Sequence, residues 1–200
     1  MTMKNANAFM QKIHPAVIGF DIDGVVADTG GAFLRIARKE YGMDSLSLED
    51  ITRFEVEDCL DIEPQIIDEI FTRLLDEPLN SGLQPMEDAM DVLHQFAKQA
   101  PLTFVTARPD KKPIDLWLQH FLEPHVYNDI RLVAMGEHDN KAGYIKNLGL
   151  QYFVDDRLQT CLALADEGIT PLVFSQPWNR HEHGLQTVDN WLAIHALSFA

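Results

Sequence analysis

The sequence predicts an α/β protein: a doubly wound parallel sheet with a small inserted helical cap. Three observations predict it. From Pro85 onward, short apolar runs alternate with amphipathic stretches, the order that gives right-handed βαβ units and a parallel sheet covered on both faces. The first apolar run, Ala16 to Phe20, ends directly in two aspartates two residues apart, Asp21 and Asp23, followed by Gly24. Between that run and Pro85 the chain shows helical periodicity and no strand pattern. The expected organisation is an α/β core from residues 1–27 and 83–200, with a helical cap at about 28–82.

Ala16 to Phe20 reads as a buried strand, and Gly24 lets the backbone leave it sharply. Ala32 to Glu40 reads as a helix with Phe33, Ile36 and Ala37 on one face and Gly42 at its end. Ser47 followed by Asp50 suggests the N-terminal cap of a second helix carrying Leu48, Ile51 and Phe54. Pro64 starts a third, with Ile66, Ile67, Ile70, Phe71 and Leu74 along it. Met86 to Ala97 is a helical face before a strand at Leu102, and Ile114 to Leu122 suggests a helix before a strand at Ile130 to Met135. Ala142 to Leu148 is a short helix closed by Gly149, and Tyr152-Phe153-Val154 is a strand. Leu158, Cys161, Leu162 and Ala165 recur at helical spacing before Gly168. Pro171 to Phe174 is a last strand and Val188 to Leu197 a terminal helix.

The strand ends carry the chemistry. Side chains at i and i+2 point to one side of an extended chain, so Asp21 and Asp23 should face one site. That site lies at the carboxyl end of a central parallel strand, where open α/β sheets bind ligands. One acid can attack as a nucleophile while the other handles the proton. Asp155 and Asp156 close a strand expected beside the first. Alone they also suit a helix N-cap, but several acids in one pocket repel unless a cation sits among them. Magnesium suits such a set, being a hard cation that takes oxygen ligands. Thr106 ends the strand begun at Leu102. Lys141 follows Asp139-Asn140 at a helix start, 14 residues before Asp155, with Lys146 as its competitor at the far end.

The string Phe20-Asp21-Ile22-Asp23-Gly24-Val25-Val26-Ala27-Asp28-Thr29 resembles motif I of the haloacid dehalogenase superfamily in its phosphatase form. Leu102 to Ala107 resembles motif II, Lys141 motif III and Tyr152 to Asp156 motif IV, all in order. The resemblance implies a Rossmann-like core, an aspartyl-phosphate formed on Asp21, and Asp23 as the acid that protonates the leaving alkoxide and later activates water. It implies phosphate binding by Thr106, the amide of Ala107 and Lys141. It also implies Mg²⁺ held by the Asp21 carboxylate, the Asp23 carbonyl and Asp156, with Asp155 acting through water or by positioning. Superfamily dehalogenases that attack carbon lack the second acid at this spacing. FDIDGVVADT, VDDR and the late PWN loop are most similar to the 5′(3′)-deoxyribonucleotidase branch. A nucleoside monophosphate is thus the leading substrate class and a phosphosugar or other small phosphate ester the alternative. Arg108 and Arg157 could contact substrate or pair with surface acids, and Trp178 could be a core anchor or a stacking face.

Composition narrows the partners. Net charge is −15, from 16 basic and 31 acidic residues, and residues 28–82 hold 14 of those acids against 5 basic residues. Such a surface disfavours nucleic-acid polymers, which need a basic patch, but not a small phosphorylated metabolite held by a local metal and a lysine. No apolar run approaches the roughly 20 residues of a membrane span, and Met1 to His14 lacks the apolar core of a signal peptide. Cys59 and Cys161 stand apart without metal-binding spacing, which favours a reducing cytoplasmic setting. His181-Glu182-His183 reads as a solvent loop rather than a metal site, having no third ligand at helical spacing. Two readings of other classes stand beside the enzyme. In a phosphoacceptor receiver the acid pair would come first and the phosphorylated Asp later, the reverse of the order here. A binding protein without turnover would not need every catalytic residue type.

Overall fold

A computed structural model describes residues 12–136, 140–181 and 183–199. Residues 1–11, most of the Met1–His14 segment expected not to resemble a signal peptide, lie outside them, as do Asp139 and Glu182. Six parallel strands form one sheet in the order β3-β2-β1-β4-β5-β6: β1 Ile18–Phe20, β2 Thr103–Thr106, β3 Arg131–Ala134, β4 Tyr152–Asp155, β5 Thr170–Phe174 and β6 Thr187–Val188. The strand order turns at β1, which pairs with β2 through Phe20 and Phe104 and with β4 through Ile18–Tyr152 and Phe20–Val154. The crevice at such a turning point lies over the carboxyl ends of these strands.

Successive residues serve opposite faces of the sheet. Phe104 and Val154 belong to a large apolar cluster with Phe20, Phe96 and Trp191. Their neighbours Val105 and Phe153 belong to a second cluster with Ile145 and Leu164. The helices α3 Ala89–Ala97 and α8 Trp191–Ser198 supply the first cluster, while α6 Lys141–Asn147 and α7 Leu158–Asp166 supply the second. Helices therefore cover both faces, as a doubly wound sheet requires.

Between β1 and β2 the chain forms α1 Thr29–Tyr41, two single 3₁₀ turns at Leu48–Asp50 and Val56–Asp58, and α2 Pro64–Asp76, before α3. The α1 and α2 helices pack through stacked rings of Phe33 and Phe71, 5.2 Å between centroids. The outgoing and returning segments run side by side: Asp28 N donates to Gln84 O at 2.9 Å and Met86 N to Val26 O at 2.8 Å. Trp191 Nε1 donates to Val25 O and Trp117 Nε1 to Leu83 O, both at 2.9 Å, so a buried indole anchors each passage. Trp117 belongs to α4 Lys111–Phe121, which is followed by the short α5 Pro124–Tyr127.

Among the differences from the sequence expectation, three have a clear local cause. The α1 helix begins at Thr29 rather than Ala32, because Asp28 caps it, accepting from Gly31 N at 3.0 Å. The Gly30-Gly31 pair looks like a breaker, yet a Cβ on Gly31 would lie 2.2 Å from the Asp28 carboxylate, so the cap needs that glycine. The helix expected from Ser47 is one 3₁₀ turn: the Ser47–Asp50 capping box forms, but Ile51 leaves helical geometry (φ −80, ψ 79) and turns into the core. The terminal helix starts at Trp191, where Asn190 caps it by accepting from Ala193 N at 2.9 Å. Val188, expected within it, instead extends the sheet beside Phe174. A two-residue strand after a polar loop is too short to show alternation.

Candidate active site

The carboxyl ends of β1 and β4 bring the acids together. Asp21 N donates to Val154 O at 2.9 Å, continuing the pairing past the end of β1 and setting Asp21 beside Asp155. One carboxylate oxygen from each of Asp21, Asp155 and Asp156 lies within 4.8 Å of the others, and all three residues are buried. Lys141, first residue of α6, inserts its ammonium here, 2.6 Å from Asp155 Oδ2 and 3.0 Å from Asp21 Oδ1. Asp155 Oδ1 accepts from Arg157 N at 2.9 Å, so both oxygens of Asp155 are engaged within the protein. Lys146, the competing lysine, instead pairs with Glu167 at the surface.

Asp23 lies beside this cluster but turns away from it. Its Oδ1 accepts from Thr29 Oγ1 at 2.7 Å, and Arg108 grips both oxygens, Nε to Oδ2 and Nη2 to Oδ1, each at 2.8 Å. Arg108 Nη1 reaches Leu74 O and Leu75 O at 3.1 and 3.2 Å. A side chain that could have met substrate thus spends four of its five N–H groups on the protein. Thr106 is buried at the end of β2, its hydroxyl accepting from Arg108 N at 3.3 Å. Thr106, Ala107 and Lys141 line the same cavity as the acids.

A 3₁₀ turn after β5, Pro177–Asn179, braces the acids from the other side. Trp178 Nε1 donates to Asp156 Oδ2 at 3.1 Å, which gives this tryptophan a task beyond anchoring or stacking. Asn179 Nδ2 holds Asp156 O and Phe174 O, both at 2.7 Å, and Gln176 Nε2 holds Gly24 O at 2.8 Å. Sequence reasoning marked the loop but missed Gln176, Asn179 and Thr29. Only the position of the first two after a strand's carboxyl end pointed to them. Gly24 has φ +71, and a Cβ there would stand 2.1 Å from Asp156 Oδ2. The turn that delivers Asp23 and the acid Asp156 can be this close only because residue 24 has no side chain.

The charges are unevenly compensated. Burial pushes the Asp21 carboxyl up to about 7; Lys141 opposes this and Asp155 and Asp23 add to it. Burial, then Asp155 and Asp21, also hold Asp156 well above the usual carboxylate range. For Asp23 burial acts the same way, but the Arg108 guanidinium and the Thr29 hydroxyl prevail and lower it. Burial works against the Lys141 charge, yet Asp155 and Asp21 raise it overall. One ammonium therefore serves three buried acids. The donor set fits a hard divalent cation: oxygen ligands only, converging, and short of positive charge. The Asp21 and Asp156 carboxylates could hold it, with Asp155 fixed behind them by Lys141. His181 and His183 join no such group among the described residues, and Glu182 between them lies outside those residues.

Above the acids lies a cavity of about 310 Å³. Its roof includes Phe33, Ile51, Phe54, Phe71, Leu74 and Leu75, so the polar floor faces an apolar ceiling. Tyr41, the other aromatic of this segment, is not part of the lining. The Arg157 guanidinium lies over the Phe54 ring, 5.1 Å from its centroid, with Nε buried and lacking a hydrogen-bond partner. Among the described residues, no helix is long and apolar enough to cross a membrane.

A family profile described as 5′ nucleotidase, deoxy (pyrimidine), cytosolic type C protein matches residues 15–199. No curated protein matches the sequence. Among solved structures, a haloacid dehalogenase-like hydrolase from Streptococcus pneumoniae is similar at 14% identity, with a TM-score of 0.60 over 90% of this chain and 96% of that one. A predicted phosphoglycolate phosphatase from Haemophilus somnus is similar at 16% identity, with a TM-score of 0.60 over 92% and 98%. A HAD family hydrolase from Deinococcus radiodurans with bound phosphate and sodium is similar at 16% identity, with a TM-score of 0.57 over 92% and 98%. At these identities the likenesses show a shared fold.

Proposed function

From the premise that this chain belongs to the family of cytosolic type C 5′ nucleotidases, deoxy (pyrimidine), within the haloacid dehalogenase superfamily, we propose a magnesium-dependent nucleoside monophosphate phosphatase that works through an aspartyl-phosphate. Membership makes the protein a phosphoric monoester hydrolase. The metal, the substrate and the residue roles are our assignment. One observation carries it: three buried carboxylates and one buried ammonium converge on a single point beneath an apolar roof.

In this reading an Asp21 carboxylate oxygen attacks phosphorus while the P–O bond to the leaving alkoxide breaks, and that alkoxide takes a proton from Asp23. Water then attacks the aspartyl-phosphate, Asp23 takes its proton, and inorganic phosphate leaves with Asp21 restored. Arg108 and Thr29 hold Asp23 ionised, which suits the second half. For the first half the proton reaches Asp23 with a substrate that enters as the phosphate monoanion, whose own pKa is near 6. Thr106, the Ala107 amide and Lys141 bind the phosphoryl oxygens, whose charge grows more demanding in the transition state. The Asp21 carboxylate, the Asp23 carbonyl and Asp156 would hold Mg²⁺, which would supply positive charge against the phosphate and reduce its repulsion with the attacking carboxylate.

Residues 28–82 act as a cap that excludes water over the site. The stacked pair Phe33–Phe71, together with Phe54 under Arg157, offers a nucleobase apolar and π surface, which favours a nucleotide over a phosphosugar. Two free cysteines, one buried with its thiol pushed up by burial, agree with a reducing cytoplasmic setting. Phosphate release measured across nucleoside monophosphates and phosphosugars, with and without Mg²⁺, tests the assignment. Turnover of nucleotides that stops on chelation supports it, and activity without divalent metal overturns the metal role.

A further inference from the structure

Arg108 is 3% exposed, and its guanidinium is shared between partners 85 and 34 residues away along the chain. Nε and Nη2 make a two-pronged bond to Asp23, while Nη1 donates to the carbonyls of Leu74 and Leu75. Those carbonyls belong to the last turn of α2, where helical C=O groups lose their partners within the helix. The amide that would serve Leu74 belongs to Pro78, which has none. The helical i+4 donor is thus missing for this carbonyl, and Arg108, two residues past β2, donates to it instead.

We propose that Arg108 is a positioning residue that ties the orientation of the Asp23 carboxylate to the seating of the α2 C-terminal turn over the site. The inference rests on the reading of Asp23 as the proton-transfer group. A guanidinium is a rigid planar fork, so its two ends cannot reorient independently. If the last turn of α2 lifts, Nη1 loses both carbonyls in a buried setting, and a rotation that finds new acceptors breaks the parallel bonds to Asp23. Leu74 and Leu75 also line the cavity, so a group that fills it would meet the same turn that Arg108 holds. The proton-transfer carboxylate is thereby placed when the roof is down. Lysine at this position would keep the charge but not the fork, and could not serve both partners.

Hydrogen exchange across α2 without substrate, together with steady-state hydrolysis of para-nitrophenyl phosphate, tests the link in wild type, Arg108→Ala, Arg108→Lys and Asp23→Ala. Removing the bridge by Arg108→Ala, or its anchor at the site by Asp23→Ala, should speed exchange in the last turn of α2 by about tenfold or more. Arg108→Lys should lower kcat by about 10²-fold while KM stays within about twofold, the mark of lost positioning rather than lost binding. Unchanged exchange in Asp23→Ala overturns the link, as does a kcat for Arg108→Lys within about twofold of wild type. Should Arg108→Ala fail to fold, Asp23→Ala and Arg108→Lys still provide both comparisons. An active wild type that ignores nucleotides removes the nucleotide reading alone, since neither readout uses a nucleotide. An inactive wild type overturns the role of Asp23 and this inference with it.

Discussion

Lys141 and Asp155 form a buried ion pair at 2.6 Å across 14 residues of chain, and the same ammonium lies 3.0 Å from Asp21. The pair occupies Asp155 Oδ2, while its Oδ1 accepts from Arg157 N at 2.9 Å. It also puts a permanent positive charge where a phosphoryl group would sit against Asp21.

Lys141→Ala should therefore fail in two ways. Losing one transition-state electrostatic contact lowers kcat by about 10²–10³. Stranding two buried carboxylates costs about 3–5 kcal/mol of stability, by analogy with other broken buried pairs. Lys146→Ala breaks only the exposed contact with Glu167 and should leave kcat and melting temperature near wild type. Kinetics and thermal melts on both variants check this, and reversed effects would overturn the placement of Lys141 at the phosphate.

The two motif acids should separate by trapping. Asp21→Asn removes the nucleophile, so no aspartyl-phosphate or fluoride-based mimic should form. Asp23→Asn keeps the nucleophile and should still form some phosphoenzyme from an aryl phosphate with a good leaving group, while turnover falls by about 10²–10⁴. Mass spectrometry of the trapped protein locates the phosphate, and any site other than Asp21 sinks the mechanism.

The acids were legible in the sequence because their positions follow from local rules. An apolar strand ending in Asp fixes where the Asp21 carboxylate emerges, whereas the i, i+2 rule holds for Asp23 only while the chain stays extended, and it bends at Ile22. Local rules did not reveal that Asp23 turns from the acid cluster to Arg108, a contact spanning 85 residues. Asn179 and Gln176 act on Asp156 and Gly24 across 23 and 152 residues, and nothing in their own neighbourhood announces it. The parallel core was readable from alternating elements. The sixth strand was not, since Thr187–Val188 pairs only through what β5 offers it.

Burial of the acids, with their mutual repulsion adding to it, gives a signed pH prediction. In the folded protein the Asp21 carboxyl sits at about 7 against an ordinary 3.8, and Asp156 is raised too. The folded state thus holds protons that the unfolded chain releases between about pH 4 and 7. Without a divalent cation, this contribution to stability is full below about pH 4 and is lost as pH rises through about 7. A cation at these acids must displace those protons, so its binding strengthens as pH rises. The increase in melting temperature produced by Mg²⁺ should be larger at about pH 8 than at about pH 5.5. Equal increases at both pH values, or none at either, would remove Asp21 and Asp156 as the metal site.

Substrate choice should reside in the roof, and Phe54 is the residue to change. Phe33 and Phe71 stack on each other and hold α1 against α2, so altering either disturbs packing as well as the cavity. Phe54 follows the single 3₁₀ turn of residues 48–50, is partly exposed, and faces the cavity with the Arg157 guanidinium over its ring. A base seated there gains ring contact that a phosphosugar cannot make, an effect of about 0.5–1.5 kcal/mol beyond buried area. Phe54→Leu keeps apolar volume but removes the π face. It should lower kcat/KM for a nucleoside monophosphate by about threefold to tenfold and leave a small aryl phosphate near wild type. Hydrolysis of nucleotide, phosphosugar and aryl phosphate by both proteins measures the three ratios. A nucleotide advantage that survives Phe54→Leu would move base recognition elsewhere in the roof. Equal wild-type efficiency on nucleotide and phosphosugar would leave a phosphatase whose roof closes on another ester.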